Sequence, residues 1–174
     1  KCLEICPTQA LEASRELNAT KCISYLTIES RSVPPESLRK AMGDWFFGCD
    51  LCQTVCPWNL KFVSRNLERQ PQRTLDSLDR QALTDEMNWI LSTSGKALQR
   101  AFHQTALSRA GSFGLKRNAL VVIANQKLID CREEVVKLST HPKLGELAEW
   151  CLKELCVGPD SISGGASPSS KPLN

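Results

Sequence analysis

Cysteine is the residue type in this chain whose number and spacing can do chemistry. Nine are present in 174 residues, and six of them fall within the first 56. The chain opens Lys1-Cys2-Leu3-Glu4-Ile5-Cys6-Pro7, a C-x3-C-P run. Cys49, Cys52 and Cys56-Pro57 follow as C-x2-C-x3-C-P, and Cys22 lies between the two runs. Tight turns between closely spaced cysteines aim successive sulfurs inward, so thiolates here can wrap a metal ion or a small inorganic core. Proline after the last cysteine turns the chain away and brings no competing N–H donor. Zinc accepts C-x2-C pairs in tetrahedral sites. Disulfides are the weakest option, because the total is odd and a chain of this length can hold a core without staples.

The bacterial ferredoxin pattern is C-x2-C-x2-C-x3-C-P, and its fourth cysteine ligates the other cluster. The two C-P endings with their C-x3 spacing favour iron–sulfur over zinc. Cys2 and Cys6-Pro7 match the last two positions, so two further ligands are expected before Lys1, and the chain reads as a piece of something longer. By the crossed logic of that pattern, Cys2 and Cys56 serve a first cluster with the two upstream cysteines. Cys6, Cys22, Cys49 and Cys52 complete a second.

The elements that must position these cysteines are short. Pro7, Pro34-Pro35 and Pro57 punctuate the first segment, expected over residues 1–66. Cys22 to Glu29 can make two helical turns, and Pro34 to Met42 reads as a short helix opened by Pro35. Such a segment has little apolar core, so something else must order it. A second segment, expected over 67–158, reads as helices. Leu75, Leu78 and Leu83 mark a first helix, with Asp76 or Ser77 as cap. Thr84, Met87 and Trp89-Ile90-Leu91 mark a second. Ala97, Leu98, Ala101 and Phe102 form one stripe, and Leu115, Ala119, Leu120, Val122 and Ile123 another. Val135, Val136 and Leu138 precede a stop near His141-Pro142. Leu144, Leu147, Ala148, Cys151, Leu152 and Leu155 form the last helix. The expected fold is mainly α: a ferredoxin-like segment for two 4Fe–4S clusters, followed by HEAT-like helical repeats. Residues 159–174 are rich in Ser, Gly and Pro and are expected to form a disordered tail.

The net charge of +3 hides an uneven distribution. Residues 1–59 carry −1, residues 60–132 carry +6 and residues 133–174 carry −2. No acidic residue lies between Glu86 and Asp130, whereas Lys96, Arg100, Arg109, Lys116, Arg117 and Lys127 do. Polyanions are the natural partners of such a tract, against the plainer reading of a solvated helical face. No apolar run approaches the roughly 20 residues of a membrane span.

Several stretches carry a resemblance to a known family. They are CPTQAL (Cys6 to Leu11), KCISYLTIE (Lys21 to Glu29), MGDWFFGCDLCQTVCPWN (Met42 to Asn59), TALSRAGSFGLKRNALVVIAN (Thr105 to Asn125) and LGELAEWCL (Leu144 to Leu152). On these the chain resembles the epoxyqueuosine reductases of tRNA modification, over residues 1 to about 157. The resemblance implies an oxidoreductase that reduces epoxyqueuosine in tRNA to queuosine through cobalamin, in the cytoplasm, with two 4Fe–4S clusters as electron relay. It implies that this chain is the relay and tRNA-binding part, with tRNA and an electron donor as partners. The cobalamin domain and the catalytic acid are then expected upstream of Lys1, so the piece alone should be inactive. Asp44, Trp45 and Leu51 depart from the family pattern without touching a ligand cysteine.

The resemblance further implies cobalamin contact from Ser24, Cys49 and Asp50, and tRNA contact from Arg109, Lys116, Arg117 and Asn118. Tyr25 is read as bordering cobalamin or packing, and Trp58 as core. His103 and His141 are read as surface or structural residues, and Cys131, Cys151 and Cys156 as helix core. Two other readings compete: a cluster module of another cobalamin enzyme, such as a reductive dehalogenase, and a zinc-stabilised nucleic-acid-binding protein.

Overall fold

The computed structural model describes residues 1–13, 16–59 and 80–156. The expected segment boundary at 66, the tail from 159, and Leu75, Asp76, Ser77 and Leu78 lie outside these residues. The described residues are mainly helical, as the hydrophobic periodicity predicts.

The first segment runs through α1 (Cys2–Ile5), a two-stranded antiparallel sheet of β1 (Leu11–Ala13) and β2 (Glu16–Leu17), α2 (Ile23–Ile28), α3 (Glu36–Arg39) and α4 (Leu51–Thr54). The strands are absent from the sequence expectation, because two or three residues offer no alternation to read. The helix expected over Pro34 to Met42 is confined to α3 and followed by turns.

The second segment comprises α5 (Arg80–Ser92), α6 (Gly95–Ala101), α7 (Gly111–Gln126), α8 (Arg132–Leu138) and α9 (Gly145–Cys156). Leu83 and the Thr84-to-Leu91 stretch belong to one helix, α5, where two were expected. Helix α7 is the hub, packing against α5, α6 and α9. Leu115, Ala119, Leu120, Val121, Val122, Ile123 and Ala124 are all buried, so α7 is apolar on nearly every side, as an interior helix must be. It ends with Lys127 in the left-handed conformation (φ 52°) and Leu128 N–H donating to Ile123 O at 3.0 Å, a Schellman closure.

One buried core joins the two segments. Ile23, Leu26 and Met42 of the first lie in the same cluster as Met87, Leu120, Val122 and Leu147 of the second. The first segment therefore borrows its core from the helices.

Candidate metal centre

The four cysteines assigned to the second cluster are delivered by four local devices. Cys6 follows α1 in extended backbone (φ −71°, ψ 111°), where Pro7 stops the helix. Cys22 holds the N-cap position of α2 and accepts Leu26 N–H on its carbonyl at 2.9 Å. Cys49 follows Gly48, whose φ of 77° suits glycine and bends the chain toward the site. Gly48 N–H is fixed to Thr27 Oγ1 at 3.0 Å, tying the Cys49 loop to α2. Cys52 sits in the first turn of α4, with Asp50 at its N-cap and the Asp50 carbonyl accepting Gln53 and Thr54 N–H.

Cys6, Cys22, Cys49 and Cys52 line one cavity of about 320 Å³, together with Ser24 and Asp50. Burial pushes the Cys49 thiol up, and Cys22, Cys52 and Cys6 push it further by like-charge repulsion. Burial and Cys22 do the same for Cys52. Partial burial also acts to raise Cys6. There the Ala10 N–H at 3.3 Å, the Thr8 hydroxyl and the Leu11 and Thr8 amides together outweigh burial and lower it. Hydrogen bonds of this kind stabilise a thiolate and tune the group it ligates.

All nine cysteines are free, so the odd count has no disulfide framework behind it. Among the described residues, no three His, Cys, Asp or Glu side chains gather on a point that a single ion would fill. Zinc needs its thiolates about 2.3 Å from one centre. A cluster takes them farther apart, because each sulfur binds a different iron, and Cys6, Cys22, Cys49 and Cys52 line one cavity that offers four thiols to such a group. Cys2 and Cys56 do not line this cavity. Cys2 is exposed on α1, which packs against α4, and Cys56 follows α4 at intermediate burial.

Ser24 is half-buried and Asp50 exposed at the rim of the cavity. Tyr25 is exposed beside them. Trp58 is 85% exposed and so is not core. It sits past the Cys56-Pro57 turn, beyond the reach of the shared core.

The basic tract divides in two. Arg109 is exposed and pairs with Glu29, and Lys116 is half-buried and donates to Leu91 O at 2.7 Å. Arg117 and Asn118 are 0% and 1% exposed, so neither side chain can reach a phosphate. Their donors are consumed internally. Arg117 donates from Nη1 to Ser30 O (2.5 Å) and Ser32 O (3.0 Å), from Nη2 to Thr27 O (3.2 Å), and from Nε to Asn118 Oδ1 (3.0 Å). Asn118 Nδ2 donates to Thr27 O (2.8 Å) and Phe46 O (2.9 Å). Lys127 is held by Glu154. Lys96 and Arg100 on α6 face solvent and line an open surface cleft with Gln99 and His103.

His141 is structural: its Nδ1 accepts the N–H groups of Lys143 and Leu144 just before α9. Cys131 and Cys151 are buried core thiols, as expected, whereas Cys156 is exposed at the end of α9 beside Arg132. The sequence reading missed Arg39, which is buried between Pro34 O, Glu146 and the Trp150 ring. It also missed Asn125, whose Nδ2 donates to Arg39 O (2.9 Å) and Gly43 O (2.7 Å). For Asn125 the available signal was a polar residue standing in the apolar run of α7; Arg39, at the end of the short α3, carries no such signal.

A family model described as a 4Fe–4S double cluster binding domain matches residues 1–59. Epoxyqueuosine reductase of Xanthomonas campestris is 41% identical over 109 residues, covering 60% of this chain and 30% of the relative. That of Vibrio cholerae is 32% identical over 161 residues, covering 88% of this chain and 40% of the relative. The chain thus spans about 30–40% of the length of these relatives. Among solved structures, epoxyqueuosine reductase from Bacillus subtilis matches with TM-score 0.70 at 28% identity, over 88% of this chain and 40% of that one. An epoxyqueuosine reductase crystallised with an epoxyqueuosine-modified tRNA-Tyr stem loop matches with TM-score 0.69 at 28% identity, over 88% and 40%.

Proposed function

We propose, for a chain that belongs to the epoxyqueuosine reductase family, that residues 1–59 are the electron relay and residues 80–156 the RNA-facing support of an enzyme reducing epoxyqueuosine in tRNA to queuosine. The observation that carries this reading is the set of four cysteines around one cavity, inside a stretch matched by a double-cluster family model. Converting an epoxide to an alkene takes two electrons and two protons and releases water. An external reductant must supply the electrons singly through iron–sulfur centres. When bound, the two clusters supply one-electron transfer and cobalamin the reductive chemistry.

This chain's residues do the holding. Cys6, Cys22, Cys49 and Cys52 would ligate one cluster, and Cys2 and Cys56 would give two ligands to the other. Ala10 N–H and the Thr8 hydroxyl would hold negative charge on the Cys6 sulfur. Ser24 and Asp50, at the cavity rim, would face cobalamin. Lys96 and Arg100, with Arg109 and Lys116, would meet RNA phosphates. No helix among the described residues is long and apolar enough to cross a membrane, and a tRNA substrate puts the proposed activity in the cytoplasm.

The test is anaerobic purification with iron, sulfide and zinc analysis beside electron paramagnetic resonance of the reduced protein. Iron and sulfide in equal amounts, with one cluster's share of the iron and of the signal lost in Cys49→Ser, support the relay. Colourless protein holding zinc overturns it.

A further inference from the structure

We infer that Arg117 and Asn118 are positioning residues for the cluster cradle: they fix the Cys22 helix and the Cys49 loop to each other through main-chain carbonyls. The geometry is specific. Thr27 O, on the helix that Cys22 caps, receives both Arg117 Nη2 and Asn118 Nδ2. The second hydrogen of the Asn118 amide goes to Phe46 O, two residues before Gly48 and three before Cys49. One amide group therefore bridges the two ligand-bearing segments. Thr27 closes the loop from the other side, because its Oγ1 accepts Gly48 N–H at 3.0 Å.

The charge argues the same way. Burial of a guanidinium is costly, and here it brings the Arg117 pKa down to about 10. Among the described residues no carboxylate pairs with it. The partners are carbonyls of Thr27, Ser30 and Ser32 and the Asn118 side chain, with the Phe113 ring 5.9 Å away. An apolar residue would fill the same volume without that cost. What only the Arg–Asn pair supplies is a fixed fork of donors for a bent chain path. Groups of this kind, one layer behind a metal ligand, set how rigidly the ligand is aimed.

Asn125 provides an internal comparison. It lies on the same helix and also bridges two carbonyls, Arg39 O and Gly43 O, neither of which belongs to a ligand or its neighbour. Asn118→Asp and Asn125→Asp each remove two amide donors from the first segment. In the full protein loaded with iron and sulfide, Asn118→Asp is expected to speed bleaching of the cluster absorbance in air about tenfold and to alter the line shape of the reduced cluster's resonance. Asn125→Asp is expected to leave both readouts unchanged, even if it lowers the unfolding temperature. Should Asn118→Asp yield no folded protein by circular dichroism, Thr27→Val breaks the parallel tie between the same two segments at Gly48 and is expected to give the same bleaching. The inference rests on the iron–sulfur reading. Native protein that holds no cluster ends both. Native protein with a cluster, whose bleaching and line shape are untouched by Asn118→Asp and Thr27→Val or moved equally by Asn125→Asp, ends the positioning role alone.

Discussion

Replacing Arg39 by methionine tests how the first segment is fastened to the last helix. The guanidinium is 2% exposed. It donates from Nε to Pro34 O at 3.0 Å and from Nη2 to Glu146 Oε1 at 2.9 Å, and it lies 5.3 Å from the centre of the Trp150 ring. These contacts are unequal. The Glu146 side chain is 74% exposed, so water serves its carboxylate nearly as well, and the pair contributes about 1 kcal/mol at most. The bond to Pro34 O is buried, and losing it leaves a dry carbonyl at a cost of about 1–3 kcal/mol. The ring contact adds about 1 kcal/mol. Methionine keeps much of the stem packing, so Arg39→Met is expected to cost about 3 kcal/mol. Glu146→Gln keeps an acceptor in place and is expected to cost about 1 kcal/mol or less. Thermal unfolding followed by far-ultraviolet circular dichroism should show a drop of about 6–12 °C for the first and about 4 °C or less for the second. Equal losses would refute the reasoning, since the exposed ion pair would then be the fastening.

Three further outcomes follow from named contacts. A Cβ on Gly145 would stand 2.5 Å from Ser139 O, a backbone atom that cannot swing aside. Gly145→Ala should therefore cost about 1–3 kcal/mol or more in urea unfolding, and a loss within error would mean the turn before α9 yields freely. Replacing Lys96 and Arg100 together by alanine should weaken binding of a tRNA stem loop and flatten the slope of log affinity against log salt by about 1.4–1.8, while an unchanged slope removes α6 from the RNA face. Burial raises the Cys131 thiol to about 11 and the Cys151 thiol to about 12, from an ordinary value of 9.0. Each keeps its proton in the folded state after the unfolded chain has lost it. Stability from these groups is thus complete below about pH 9 and falls by about 1.4 kcal/mol per thiol per pH unit above it. Urea midpoints at pH 8 and 10 check this, because Cys151→Val should remove one thiol's share of the decline.

What the sequence makes legible is what depends on neighbours in the chain. The cysteine runs work through turns of a few residues, so Cys6, Cys22, Cys49 and Cys52 can be grouped from spacing, and the structure sets them around one cavity. The helices of the second segment announce themselves by period. The fastening between segments is set by distant partners, and there local reading fails. Arg117 and Asn118 look like an exposed basic motif until the burial of their whole helix is known. The carbonyls that Arg117 donates to lie 85 to 90 residues away. Trp58 and Cys156 fail for the opposite reason: an apolar residue at the end of an element has nothing to pack against, whatever its type predicts.

Arg117, Asn118 and Asn125 share one further property: every contact they make to the first segment ends on a main-chain oxygen. Every amino acid carries that oxygen. Helix α7 therefore reads the path of the first segment and is blind to most of its spelling. Substitutions at Ser30, Ser32 or Phe46 leave an acceptor in place, whereas one residue inserted or deleted between Thr27 and Phe46 displaces several acceptors at once. Among relatives, length over this interval should hold steady while its letters drift.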